Sequence, residues 1–418
     1  MHEQHASPEA IRCFLRSELS SEEASELIRH LLARCPECLV AAGRLAWTSP
    51  RPPLPGLGRP LARRAYEEAF SAVERRCAGR EQDLVRQRTL AAEQWRELRS
   101  HPPVRRRWRI RNDPRFGTWG FCERLLEECL ALGRRDAGQA GELAHLAAEA
   151  VARLEADRYG AERIADLEAF AWGALGEARR LQLDLPGAGE ALARARAAFR
   201  RGTRDSLEEV RLVILEMSLA EDEGELAAAG DAFGWAARVY RRAGETHREG
   251  AALLLQAKAA GQLDPERGLA LLEKALERAD RGDSWIELCA RHHRIWFLDA
   301  AGRSRQAAML LAGSRHLYRP FGDLRTRLAL RWVEGRVACS LGDRDTARSA
   351  FEEIRPVFAE RGLRFQLSRV TQDLEATGCS QSPKERGGQT VTGRSGRMWP
   401  EHDVRMEGCD RSVTHETA

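Results

Sequence analysis

Cys35-Pro36-Glu37-Cys38 is the one cysteine pair in this chain with metal-ligand spacing, since a two-residue gap lets both sulfurs turn toward a single ion. A structural zinc ion asks for four tetrahedral nitrogen or sulfur donors, and thiolate with imidazole suits it. His30 stands five residues before Cys35, near the end of an expected helix, from which its ring reaches the pair. The fourth donor has to come from upstream, where His5 and Cys13 are the candidates. On a helix opening at Pro8, the residues Ile11, Phe14, Leu15 and Leu19 form the buried stripe, and Cys13 falls roughly 130° from its centre at about 100° per residue. Cys13 therefore points away, whereas His5 precedes the helix on a segment free to fold back. The expected zinc set is His5, His30, Cys35 and Cys38, with Cys13 the alternative to His5. Two thiolates neutralise the divalent ion, and because about 40 residues cannot build a sufficient core alone, metal binding would supply much of the folding energy.

Two short helices have to position these donors. Ser7-Pro8-Glu9 reads as an N-cap, a proline at the first helical position and an acidic first turn, opening a helix to about Leu19. Ser20 and Glu23 offer a capping box for a second, carrying Leu27, Ile28, Leu31 and Leu32 on one face and ending near Arg34. Residues 1–40 form this module. Residues 41–60 are a linker, whose five prolines between 48 and 60 favour an extended spacer. Residues 61–117 read as a basic helical connector, broken near Ala78-Gly79 and stopped at His101-Pro102-Pro103. Its arginine run from Arg105 to Arg111, with Trp108 inside it, is read as a connector pairing with neighbouring glutamates rather than as a grip on phosphate.

From Thr118 to about Thr377 turns recur about every 40 residues, as stacked helix pairs require. The clearest are Gly261-Gln262-Leu263-Asp264, Gly302-Arg303-Ser304 and Gly342-Asp343-Arg344. Ala307 and Ala347 follow two of these glycines by five residues, which lets paired helices approach closely. A single pair cannot bury both faces, so stacking follows. Trp172, Trp235, Trp285, Trp296 and Trp332 sit in apolar helical contexts and read as core; His292 and His293, flanked by Arg291 and Arg294, read as surface residues. Residues 378–418 lose apolar periodicity and are expected to be disordered.

The composition is that of an all-α protein, here a small two-helix module with the expected zinc site followed by an α-solenoid of stacked helix pairs. Lys plus Arg number 67 against 63 Asp plus Glu, so no overall field demands a nucleic-acid partner, although residues 51–115 hold 17 Arg against 8 acids. Neither a membrane span nor a secretory signal is found, and a cytoplasmic location is expected. Catalytic fingerprints for acyl transfer, phosphate binding or metallohydrolysis are missing, and the chain is not expected to be an enzyme.

His5, Phe14-Leu15-Arg16-Ser17-Glu18-Leu19 and His30-Leu31-Leu32-Ala33-Arg34-Cys35-Pro36-Glu37-Cys38 together resemble the zinc-finger domain of bacterial anti-sigma factors, over residues 5–38. The family reads His-x3-Cys-x2-Cys, one residue shorter before the first cysteine. The array resembles tetratricopeptide repeats over residues 118–377, with a longer period and without the family's Trp and Tyr signature. These resemblances imply Zn2+ at the N-terminal site and a protein or peptide partner in the repeat groove. The expected function is a non-catalytic interaction scaffold or regulator. The alternative is a soluble anti-sigma factor that holds a sigma factor.

Overall fold

The computed structural model describes residues 6–15, 18–20, 23–24, 27–28, 31, 35, 37–38, 40–42 and 59–378 except 134 and 281, with the side chains of 15 and 59–78 not included. His5, His30, most of the linker and the tail from 379 lie outside the described residues. The described residues form helices and no strand, and none of their helices is long and apolar enough to cross a membrane. The chain divides into two compact units, Met1–Asp83 and Leu84–Ala418.

In the first unit α1 spans Pro8–Leu15, started as expected by Ser7, whose Oγ accepts the Ala10 N–H at 3.1 Å. Ile11 is buried beneath it. The helix stops at Leu15, short of the expected Leu19. The Glu18 N–H donates to the Cys13 carbonyl at 2.8 Å, the six-to-one bond that closes a helix C-terminus. The capping box forms: the Glu23 N–H reaches Ser20 Oγ at 3.3 Å and the Ser20 N–H reaches Glu23 Oε2 at 3.0 Å. Helix α2, Arg59–Arg99, passes through the expected break at Gly79 without interruption, since one glycine costs a helix only about 1 kcal/mol.

In the second unit α3 (Pro103–Asn112) carries the arginine run. Arg106 pairs with Glu142 at 3.2 Å, Arg107 and Arg111 share Glu149 at 2.8 and 2.6 Å, and Arg109 pairs with Glu97 at 2.5 Å. Four of the five arginines of the run are thus spent on neighbouring glutamates. The array follows as α4 (Trp119–Leu132), α5 (Ala137–Val151), α6 (Ala161–Leu181), α7 (Leu185–Phe199), α8 (Ser206–Glu223), α9 (Leu226–Arg242), α10 (Thr246–Leu263), α11 (Pro265–Arg278), α12 (Ser284–Ala300), α13 (Ser304–Ser314), α14 (Leu324–Leu341), α15 (Arg344–Glu360) and α16 (Arg364–Gly378). Aspartate starts many of these helices, as where Asp264 accepts the Glu266 and Arg267 N–H groups and Asp343 that of Thr346. Such caps contribute about 1 kcal/mol each.

Each helix packs on the next. Buried alanines such as Ala195, Ala229, Ala307 and Ala347 keep the pairs close. Gly302 and Gly342 have φ of 77° and 92° and make the expected turns. Gly261 does something else: it lies inside α10, where a Cβ would stand 2.2 Å from the Phe297 ring, and a Cβ on Gly268 would stand 2.5 Å from the Gly261 Cα. These two glycines are a crossing point of α10 and α11 capped by an aromatic ring from α12.

Counted from α8, the array curls back on itself after four helix pairs. Helix α16 touches α8, Gln366 Nε2 donates to the Asp222 carbonyl at 2.8 Å, and the Phe365 ring lies over Gly224, which has φ of 106°. Beside this seam Leu183, in the α6–α7 turn, packs into the apolar cluster of α14, α15 and α16 with Leu328, Phe351 and Val370.

Candidate functional site

Closure of the seam leaves a cavity of about 660 Å3 inside the array. Its walls come chiefly from the even-numbered helices. Helical spacing decides which side chains reach it: Arg211, Leu215, Ser218 and Asp222 follow one face of α8, Leu254, Lys258 and Gln262 one face of α10, and Trp285, His292 and Trp296 one face of α12. Helix α14 adds Arg325 and Trp332, and α16 adds Phe365 and Arg369.

The carboxylates at this wall are held by cations. Asp222 accepts Arg180 Nη1 at 2.7 Å and Arg325 Nη2 at 2.5 Å. Burial alone would raise its carboxyl, but Arg325, Arg180 and Lys258 together outweigh that and hold it well below the usual aspartate range. Arg180 also meets Glu177 at 2.8 Å. Glu221 accepts Lys258 Nζ at 2.8 Å, yet burial first, with the neighbouring Asp222 charge, leaves its carboxyl raised. Because Arg325 comes from α14 and Asp222 from α8, this ion cluster also ties the seam.

On α12, His292 places its Nδ1 3.0 Å from the Tyr318 hydroxyl. Burial, and then the Lys258 charge, push His292 down to about 4; burial, His292 and Lys258 lower His293 as well. Both rings are therefore neutral at pH 7. The His293 ring stacks against Phe297 with 5.9 Å between centroids. Burial also raises the Tyr318 hydroxyl. The expected surface placement of His292 and His293 is corrected here: their rings turn inward, while Arg291 and Arg294 are exposed.

Near the seam the wall is aromatic. Trp296 and Trp332 meet edge to face at 5.3 Å, and Trp332 packs on Phe358 at 5.4 Å. Trp332 Nε1 donates to Asp373 Oδ2 at 2.8 Å, and Arg336 lies over the Trp296 ring at 4.5 Å while binding Asp373 at 3.0 Å. Trp172 and Trp235 pack against core clusters as expected. Trp285, Trp296 and Trp332 pack against theirs and also border the cavity. Arg369, one turn beyond Phe365 and 5.8 Å over its ring, makes no ion pair or hydrogen bond among the described residues. Burial, and then the nearby Arg336 charge, lower its affinity for its proton, against the opposing charge of Asp373.

The N-terminal site is described in part. Cys38 is buried and lies in a helical turn with Glu37; its thiol is hydrogen-bonded with that of Cys35, and the Ala6 backbone N–H is bonded to it. Burial, with Cys35 alongside, pushes the Cys38 thiol up. Two of the expected zinc donors are therefore side by side, with the chain neighbour of His5 against one of them. His5 and His30 lie outside the described residues, and no group of three or more candidate ligands occurs among those described. A paired soft donor set of this kind fits zinc, for which Cys35 and Cys38 would supply the sulfurs.

Glu221, Asp222, Arg325 and Arg369 were not singled out by sequence. Acidic side chains on amphipathic helices are by default solvent-facing, and the stretch from Glu221 to Glu225 reads as a turn. The usable signal is phase: Asp222 shares its face of α8 with Leu215. No family model matches the chain, and no curated protein matches it.

Proposed function

We propose that this protein is a non-catalytic receptor, whose helical array takes up a small ligand in its interior and whose N-terminal module is a zinc-stabilised contact for a regulatory protein partner. The observation carrying the first part is the seam between α8 and α16, which converts a concave repeat face into a cavity of about 660 Å3. Ligand pockets are commonly about 300–1,000 Å3, apolar for the most part, with a few placed polar groups. A binding role is favoured over catalysis because Glu221 and Asp222, the carboxylates that could move protons, are engaged by Lys258, Arg180 and Arg325.

Native mass spectrometry of the protein purified from its own host tests this reading. A small-molecule adduct is expected on the wild type and is expected to vanish in Ala329→Trp, which fills the cavity from α14 while leaving the helical circular dichroism unchanged. An adduct that persists in the folded Ala329→Trp protein, or a wild type carrying none, overturns it.

For the module, the support is the Cys35–Cys38 pair and the Ala6 amide bonded to the Cys38 sulfur. Bound zinc would cross-link the segment before α1 to the segment after Arg34, through His5, His30, Cys35 and Cys38. Zinc measured by atomic spectroscopy is expected at about one per chain and is expected to be lost in Cys38→Ala. Retention of zinc in both Cys38→Ala and His30→Ala sinks the assignment.

A further inference from the structure

We propose that the ligand of the cavity is a small aromatic monoanion, an aryl carboxylate in chemical class, whose carboxylate pairs with Arg369 and whose ring lies against the Trp332 and Phe365 wall. The inference rests on the cavity being a ligand site and adds the chemistry of what enters.

Charge bookkeeping at the wall selects an anion. Glu221 has Lys258, Asp222 has Arg180 and Arg325, and Glu177 has Arg180, so these acids are already neutralised. Asp283 caps α12 by accepting the Trp285 and Ile286 N–H groups. Arg211 has Glu208 at 3.5 Å and lies over the Phe170 ring. Among the described cations of the wall, Arg369 is left with no acceptor. The nearest carboxylate, Asp373, is bonded by Arg336 and the Trp332 indole rather than by Arg369, so this guanidinium stays without a hydrogen-bonded partner in a partly desolvated site, a cost that an arriving carboxylate relieves. Arginine's planar fork also matches a carboxylate in two-point contact.

The charge left over at the wall suits a monoanion: the one guanidinium without an acceptor among the described residues carries a single positive charge, which a carboxylate neutralises and a phosphate dianion exceeds. A cation would meet Arg369 as a like charge. A polyol would find the carboxylates of the wall already occupied and would leave hydroxyls unpaired.

The ring follows from what surrounds Arg369. Phe365 is one turn away on the same helix, and Trp332 and Phe358 form a continuous aromatic surface. The indole N–H of Trp332 is already given to Asp373, so the face it offers is apolar. Aromatic pairs of this kind contribute about 0.5–1.5 kcal/mol beyond area burial.

Calorimetric titration of the full chain with naphthalene-2-carboxylate and with its uncharged isostere naphthalene-2-carboxamide tests the proposal. The carboxylate is expected to bind about ten- to hundredfold tighter, the worth of a hydrogen bond to a charged group. Arg369→Gln is expected to abolish that preference by weakening the carboxylate alone, and Arg369→Lys to keep part of it. Equal binding of the two probes by the wild type overturns the anion class, as does a preference that survives in Arg369→Gln or a failure of either probe to bind. The receptor reading falls separately, on the adduct and Ala329→Trp result. Should Arg369→Gln not fold, the wild-type ratio and the Arg369→Lys ratio decide the matter.

Discussion

Asp222→Asn is expected to lower stability by about 3–5 kcal/mol, the usual cost of breaking a buried ion pair from one side. The carboxylate is 5 % exposed and sits between Arg180 and Arg325, so an amide leaves two guanidiniums without their shared counter-charge. The loss is also predicted to depend on pH. The flanking cations hold the folded carboxyl below the ~3.9 of an unfolded aspartate. Its contribution is thus complete above about pH 4 and fades as the pH falls through the folded value. The asparagine variant should consequently lose less on acidification in that range. Urea melts of wild type and variant from pH 3 to 7 measure both effects; a neutral-pH loss under about 1 kcal/mol would show that the cluster does not hold the seam.

The second large effect concerns His292 and His293. Both are neutral in the folded protein, with His292 pushed down to about 4, whereas an unfolded histidine takes up its proton near 6.5. Stability is therefore fully present above about pH 6.5 and is lost as the pH falls toward the folded values. The steepest slope is roughly 1.4 kcal/mol per pH unit for each ring, an upper limit because the cavity lets water approach. The double variant His292→Gln/His293→Gln is expected to flatten the melting temperature between pH 7 and 5, and curves that run parallel to the wild type would count against neutral buried rings.

Much of the array was legible because its signals are local. Glycine turns at 302 and 342 and alanines 307 and 347 each act within one or two turns of chain, and the helices around them begin and end where those residues predict. The Ser20–Glu23 box is local too. Gly261 was misread for the same reason: its purpose is the approach of Phe297, 36 positions along, and nothing next to it says so. His292 and His293 carried polar letters whose inward direction depends on how far the array curves. The Asp222 cluster joins residues 103 positions apart, and sequence periodicity has no reach over such distances. At the N-terminus the cysteine spacing was readable, since two residues separate the thiols that meet.

Contact between α8 and α16 changes what kind of polymer the array is. An open stack of repeats is nearly one-dimensional, its stability a sum of unit and nearest-neighbour terms, so that units fray from the ends and can be added or removed singly. A stack whose last helix leans back on its third pair closes into a ring from α8 to α16, and the bond that closes it, Gln366 to Asp222, spans 144 positions. Its contacts are non-local, folding is slower to reward their formation, and opening one join loosens every pair between. Repeat number is then fixed by circumference, and insertion of one more helix pair would lengthen the loop past the point where its two ends meet.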